Sequence, residues 1–486
     1  MSHRITLIPG DGVGPEIALA TRRVIEAAGV AIEWEECEAG AEVFRRGDPT
    51  GVPRETADSI ARTRVALKGP LETPVGFGEK SANVTLRKLF ETYANIRPAR
   101  QIPGVPTRYD GEGIDFIVVR ENIEDLYAGV EYLDARDVAV ALKIITRRGS
   151  EKIIRYAFEL ARREGRRKVT CATKAIILKL SEGMLKRIFE EMAPEYPEIE
   201  AQHLIIDNVA HQMAKDPAQF DIIVTTNLAG DIISDLASGL VGGLGFAASG
   251  NYGDTAAIFE AVHGSAPKYA GKNVINPTAL ILSSVMMLRH IGEPEAAQRI
   301  EDAVFVTLEE GEAVTLDVAR QAGDVERSTS TSGFADAIIA NLGRAPSTRY
   351  PTKSQGAPAR PPEPRPRWQV RSVAGDDIRL VGVYVYTEQD GEAEAVGRVL
   401  EELAGPEFRL LLVSARGTVV YPAENSNIDT VAWWRCRFVA PEQGGSVDDA
   451  AILRLLGRIG ERMPWVHVQK LRTYGDEEGF TRAQGQ

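Results

Sequence analysis

The sequence predicts an α/β protein: a large α/β region followed by a smaller α+β domain. Three observations carry this. Short apolar runs alternate with amphipathic stretches through the first two thirds of the chain. The interval 345–367 then holds seven prolines and no Leu, Ile, Val, Met or Phe. Beyond it the order becomes strand, helix, strand, strand, helix, strand. With 486 residues, 44% of them hydrophobic and 26% charged, there is apolar material for roughly two to four domains.

In chain order, residues 5–8 read as a strand and 16–28 as an amphipathic helix. The loop between them, GDGVG at 10–14, has the spacing GxGxG rather than GxGxxG. No acidic-ended second strand follows at the usual distance, so a Rossmann site is disfavoured and a tight glycine turn that can line a pocket is preferred. A helix is expected to begin near Ser81, and further strands at 116–119, 168–171, 204–206 and 222–224. The interval 345–368 is a proline-stiffened linker whose Arg and Lys side chains read as solvated charge. Strands at 379–386, 408–413, 431–439 and 466–471 and helices at 392–403 and 447–462 follow, the order of a ferredoxin-like sandwich. Ala451, Leu453, Leu456, Ile459 and Met463 are spaced to form the buried face of the second helix. Trp433, Trp434 and Trp465 are expected as core or interface anchors, and this domain as an accessory or assembly module.

Composition excludes several classes. A net charge of -12 argues against general affinity for nucleic acid or anionic membranes. Cys37, Cys171 and Cys436 are odd in number and far apart, which indicates neither a disulfide framework nor a CxxC metal site and fits a reducing cytoplasm. No apolar stretch approaches the ~18 residues of a membrane span. A cytoplasmic protein is expected.

Candidate chemistry gathers in two places. Lys68, Thr73, Ser81, Asn83, Arg87 and Arg97 fall in one short region, and Arg120 follows in the segment REN. Guanidinium groups bind carboxylates in bidentate fashion, so several arginines suggest a substrate with several carboxylates; a plain helix cap at Ser81 remains the alternative there. The second place is acidic: Asp207 ends an apolar run, and Asp231 and Asp235 lie four apart. Two like charges on one helix face repel unless a cation joins them, and hard oxygen ligands favour Mg²⁺ or Mn²⁺, although a solvated helix face has the same spacing. No histidine pair has HExxH spacing.

These motifs, SANVTLR at 81–87, RENIEDLYAG at 120–129, NLAGDIISD at 227–235 and HGSAPKYAG at 263–271, resemble the isocitrate/isopropylmalate (β-decarboxylating) dehydrogenases. Within that family the likeness is to the NADP-type isocitrate dehydrogenases, in the longer bacterial form with an extra C-terminal domain. It covers about residues 1–345 and implies a non-Rossmann fold: a large domain near 1–100 and 240–344, a small dimerisation domain near 101–239, the linker at 345–368, a C-terminal domain at 369–476 and a tail at 477–486. It implies that Ser81, Asn83, Arg87, Arg97 and Arg120, with Lys68 and Thr73, bind isocitrate. Asp207, Asp231 and Asp235 would hold the metal, Asp207 reaching across from a neighbouring subunit with the lysine of the catalytic pair Tyr127 and Lys174. Glu260, His263, Gly264, Ser265, Ala266 and Asn276 would meet the dinucleotide. Lys268, Tyr269 and Arg320 suit the 2′-phosphate of NADP⁺, with Leu316 where a tyrosine can occur. The expected assembly is a homodimer with shared sites, the C-terminal domain offering a route to higher oligomers.

The expected reaction is oxidation of isocitrate at C2, loss of CO₂ and protonation by Tyr127 aided by Lys174. Sister activities on homoisocitrate or another malate derivative, and a non-catalytic regulatory subunit, are the alternatives. Two departures from the family pattern stand out: Ile176 where Asn is usual, two residues past the lysine, and Phe77 within a usual run of glycines. Phosphate on Ser81 would put negative charge where a carboxylate should sit.

Overall fold

Apolar runs flanked by helices build the sheet that carries the site. The computed structural model describes residues 2–72, 81–350, 353, 378–422, 429–475 and 477–483. Thr73, Phe77 and most of the proline-rich interval lie outside the described residues. The chain divides into two compact units, Met1–Ala128 with Lys143–Pro364, and Gly129–Leu142 with Arg365–Gln486.

In the first unit the strands are β1 (His3–Ile8), β2 (Ile32–Glu36), β3 (Val65–Lys68), β4 (Ala94–Arg100) and β5 (Asp115–Glu121). After a hairpin, β6 (Glu131–Ala135) and β7 (Val138–Ala141), which belongs to the second unit, come β8 (Lys168–Thr173), β9 (Glu200–Ile205), β10 (Ile222–Thr225), β11 (Ala248–Tyr252) and β12 (Ala257–Ala261). The ten form one sheet in the order β2-β1-β3-β12-β11-β4-β5-β10-β8-β9. The four strands at either end run parallel, which explains why β3 and β10 are unbroken buried runs: helices cover both faces. The two halves meet through antiparallel pairings of β12 with β11, β11 with β4 and β4 with β5. The largely buried helix Thr278–His290 packs on β11 and β12 and joins the largest buried cluster. The glycine turn is a brace: Asp11 N–H donates to Pro70 O (2.8 Å) and Val13 N–H to Ser265 O (2.9 Å), with Gly10 and Gly12 at positive φ.

The second unit is an antiparallel sheet of β13 (Ile378–Glu388), β14 (Arg409–Ala415), β15 (Thr418–Tyr421), β16 (Trp433–Val439), β17 (Trp465–Tyr474) and β18 (Glu477–Glu478), ordered β15-β14-β16-β13-β17-β18. The four predicted strands hold the centre in ferredoxin-like order, and β15 and β18 are edge additions. Helices Ala393–Leu403 and Asp449–Gly460 cover one face over Val383, Val385, Trp434, Cys436 and Phe438. The predicted helix face needs one correction: Leu453 is 69% exposed, and Ile452 and Leu455 are buried instead. Ala451, Ile452, Leu455, Leu456 and Ile459 make one stripe at 3.6-residue spacing, and Leu453 falls off it. The β6–β7 hairpin joins this unit. Trp433 Nε1 donates to Asp134 Oδ2 (2.6 Å), and the Tyr132 ring stacks on His467. Trp434 is a core anchor, whereas Trp465 is 43% exposed.

Candidate active site

Strand pairing draws sequence-distant polar residues onto one face of the sheet centre. Lys68 is in register with Glu260, Asn251 with Asn95, and Asn95 with Arg120, so these side chains and Arg97 point the same way. Helix Ala82–Leu89 adds Arg87, and Ser81 stands at its N-cap without capping the helix's own N–H groups. Helix Asn227–Leu240 packs against β5 and β4 and adds Asp231 and Asp235. Its close approach needs Gly230, where a Cβ would stand 2.7 Å from Arg120 Cγ.

Two charge clusters result. In the first, Glu260 is buried and accepts from Arg87 Nη2 (3.0 Å) and Asn251 Nδ2 (2.8 Å), and pairs with the Lys68 ammonium. Burial opposes ionisation of Glu260, but Lys68 and Arg87 outweigh it and hold its carboxyl far below the usual range. Burial lowers the pKa of Lys68, with Glu260 opposing. The two are in salt-bridge contact, so Lys68 and Glu260, read from sequence as substrate and cofactor contacts, hold one another inside the sheet.

In the second cluster, Arg97 reaches Asp231 (3.2 Å) and Asp235 (3.1 Å), while Arg120 pairs with Asp231 and lies 4.9 Å from the Tyr127 ring centre. Tyr127 OH donates to Asp231 Oδ2 (2.5 Å). Burial raises the Tyr127 pKa, and this bond adds to it, so the phenol keeps its proton at neutral pH. Burial works against ionisation of Asp231 too, yet Arg120 and Arg97 hold its pKa below the ordinary value. Asp235 is raised by burial, with Asp231 adding to the rise. Burial and the neighbouring Arg87 and Arg97 push Arg120 down to about 10.

The remaining catalytic candidates stand elsewhere in the chain. Lys174 Nζ bonds Asp207 Oδ1 (2.6 Å), and Asp207 is exposed. That bond holds the Asp207 pKa down. Among the described residues no group of three or more His, Cys, Asp or Glu side chains gathers to hold a metal, so Asp207 does not join Asp231 and Asp235 within one chain. Ile176 is 57% exposed on the turn after Lys174.

The dinucleotide candidates line a loop from His263 to Asn276. His263 Nε2, Asn83 Oδ1 and Arg87 Nε are buried atoms with no hydrogen-bond partner among the described residues. Burial pulls the His263 pKa down, so its ring is neutral. Ala266 adopts φ 41°, Lys268, Tyr269 and Arg320 are exposed, and a Cβ on Gly264 would meet nothing within 4 Å. Asn276 Nδ2 donates to Asp317 (3.0 Å). Sequence reasoning missed Asn95, Asn251 and Asn227, the last accepting from Arg120 Nε (3.0 Å). The signal was present for β4, where Asn95 and Arg97 alternate with Ala94, Ile96 and Pro98.

Residues 4–338 match the isocitrate/isopropylmalate dehydrogenase family, and residues 378–486 match the bacterial isocitrate dehydrogenase C-terminal domain. The chain is 56% identical over 484 residues to the NADP isocitrate dehydrogenase of Thermus thermophilus, covering 99% of this chain and 96% of that protein. It is 37% identical over 485 residues to the NADP isocitrate dehydrogenase of Rickettsia conorii, covering 99% of both. The crystal structure of the TT0538 protein from Thermus thermophilus superposes with a TM-score of 0.93 at 55% identity, over 99% of this chain and 96% of that one. Both halves of the sheet, the site at their junction and the antiparallel C-terminal unit fall within these matches, and the chain belongs to the isocitrate/isopropylmalate dehydrogenase family.

Proposed function

We propose that the chain is an NADP-dependent isocitrate dehydrogenase, oxidising isocitrate at C2, passing the hydride to NADP⁺ and releasing CO₂ to leave 2-oxoglutarate. The observation that carries this reading is the mutual contact of Arg97, Arg120, Asp231, Asp235 and Tyr127: carboxylate-binding cations, hard oxygen ligands and a protonated phenol share one patch. Arg87, Arg97 and Arg120 bind the three carboxylates, with Ser81 and Asn83 selecting the distal one. A triacid offers Arg97 and Arg120 carboxylates of its own and frees Asp231 and Asp235 for a divalent cation.

The all-oxygen donor set fits Mg²⁺ or Mn²⁺, with Asp207 of a second copy as a third ligand. When bound, the cation acidifies the C2 hydroxyl and polarises the carbonyl that replaces it. A base at the Lys174–Asp207 pair takes the hydroxyl proton. Tyr127, its phenol held protonated by burial and by Asp231, protonates C3 after CO₂ departs. For the cofactor, His263 Nε2 and the open loop at Gly264 have no partner among the described residues and suit the dinucleotide, while Lys268, Tyr269 and Arg320 offer donors to the 2′-phosphate. That no described bond or acidic cluster joins Lys174 and Asp207 to Asp231 supports a homodimer with shared sites. The C-terminal unit is then a route to higher oligomers, and the enzyme is cytoplasmic.

The deciding assay follows reduced-nicotinamide absorbance with isocitrate and Mg²⁺, comparing NADP⁺ with NAD⁺. NADPH and 2-oxoglutarate are expected in equal amounts, abolished by EDTA and restored by Mg²⁺ or Mn²⁺. Turnover of homoisocitrate but not isocitrate would replace the substrate assignment, and binding of isocitrate without turnover would replace the enzyme assignment.

A further inference from the structure

A buried ionic bridge lies between the two groups of catalytic residues. Asp125, fully buried, stands at the head of the turn that carries Tyr127. Its backbone is held at φ 66°, a left-handed conformation that is strained for a non-glycine residue. The strained turn is held from three sides. Asp125 N–H donates to Ile144 O (2.8 Å), and Asp125 Oδ2 accepts from Leu228 N–H (2.9 Å) in the first turn of the helix that carries Asp231 and Asp235. On the third side Asp125 Oδ1 meets Lys143 Nζ at 2.7 Å. The same ammonium lies 2.8 Å from Glu182 Oε1, and the other oxygen of Glu182 accepts the backbone N–H of Lys174. Glu182 is itself buried, in the helix that follows the Lys174 turn.

We infer that Asp125, Lys143 and Glu182 are positioning residues that set the Lys174 turn against the Tyr127 turn and the head of the Asp231 helix. One ammonium supplies both links, and no described hydrogen bond or ion pair joins Lys174 or Asp207 directly to Tyr127, Asp231 or Asp235. The two carboxylates repel without Lys143, because among the described residues only a peptide N–H hydrogen-bonds each from its other side. Their separation, and with it the placing of Lys174, depends on that cation. Proton transfer is sensitive to such placing, since misplacement by about 1 Å can cost on the order of a hundredfold in rate. Arg87, Arg97 and Arg120 make no described hydrogen bond or ion pair with Asp125, Lys143 or Glu182.

The inference rests on the proposed reaction, and the experiment separates the two. Wild-type NADPH formation tests the reaction; variant-to-wild-type ratios test the bridge. Lys143→Met should lower kcat by roughly 10- to 100-fold with isocitrate KM within about twofold, and Lys143→Arg should recover most of the loss. Glu182→Gln keeps an acceptor for Lys174 N–H but removes the ion pair, and should lower kcat in the same way while the melting temperature stays near wild type. Amide hydrogen exchange, which needs no turnover, should quicken at 174–180 and 227–229 in both Lys143→Met and Glu182→Gln. Folded variants with wild-type kcat would overturn the bridge. So would a loss carried by KM or left unrescued by arginine. If the wild type is inactive, unchanged exchange in those segments overturns it and quickened exchange upholds it.

Discussion

Glu260 is the residue on which the polar row depends. It is the buried counter-charge for Lys68 and Arg87, and Asn251 ties it to the neighbouring strand. Removing one partner of a buried ion pair leaves the other uncompensated, so Glu260→Gln should destabilise the protein by about 3–5 kcal/mol in denaturant unfolding at neutral pH. The pH dependence has a definite sign. Because the folded-state pKa of Glu260 is depressed, its contribution is full above the unfolded value, about 4.3, and is lost as pH falls through the folded value. The melting temperature of the wild type should therefore fall more steeply on acidification below about pH 4 than that of Glu260→Gln. Equal slopes would mean that Glu260 is not ionised in the fold.

At the scale of elements, the loop at 263–276 divides its labour by burial. Its inner side is braced by the glycine turn, with Gly12 pressed so close to Ser265 that a Cβ would clash, while Lys268 and Tyr269 face solvent. A charge on the outer side can change without disturbing the brace. Lys268→Glu should lower kcat/KM for NADP⁺ by about 10- to 100-fold through loss of a charge-assisted bond and gain of repulsion, and leave kcat/KM for NAD⁺ within about threefold. Steady-state rates with the two cofactors check this. An equal loss with both would assign Lys268 to the shared part of the dinucleotide.

For the whole molecule the consequential observation is that no described hydrogen bond or ion pair joins Lys174 or Asp207 to Tyr127 or Asp231. If two copies exchange these groups, Tyr127→Phe and Lys174→Met homodimers are each inactive, but a hybrid of the two holds one intact site. Random reassortment after mild dissociation should restore about a quarter of wild-type activity, because half of the dimers are hybrids with one good site in two. No recovery, with hybrid formation verified by mass spectrometry, would place each complete site within one chain.

Much of this architecture was legible in the order of residues. Alternating apolar and amphipathic stretches indicated the α/β class, and the strand-helix order beyond the linker indicated a ferredoxin-like unit, because both depend on periodicities of a few residues. The arginine and aspartate motifs were legible too, and Arg97 does touch both Asp231 and Asp235. Other features depend on which distant strands lie side by side. That Glu260 faces Lys68 across β12 and β3 and that Asn95 sits between Asn251 and Arg120 follow from pairing registers between segments about 25 to 190 residues apart, and the 129–142 hairpin meets the C-terminal unit through side chains such as Asp134 and Trp433. The Leu453 correction has the same origin at short range: spacing identifies a helix, but the sheet beneath selects which stripe is buried. Local pattern specifies what each segment is, whereas long-range packing specifies what it touches, and charges in a buried site act through what they touch.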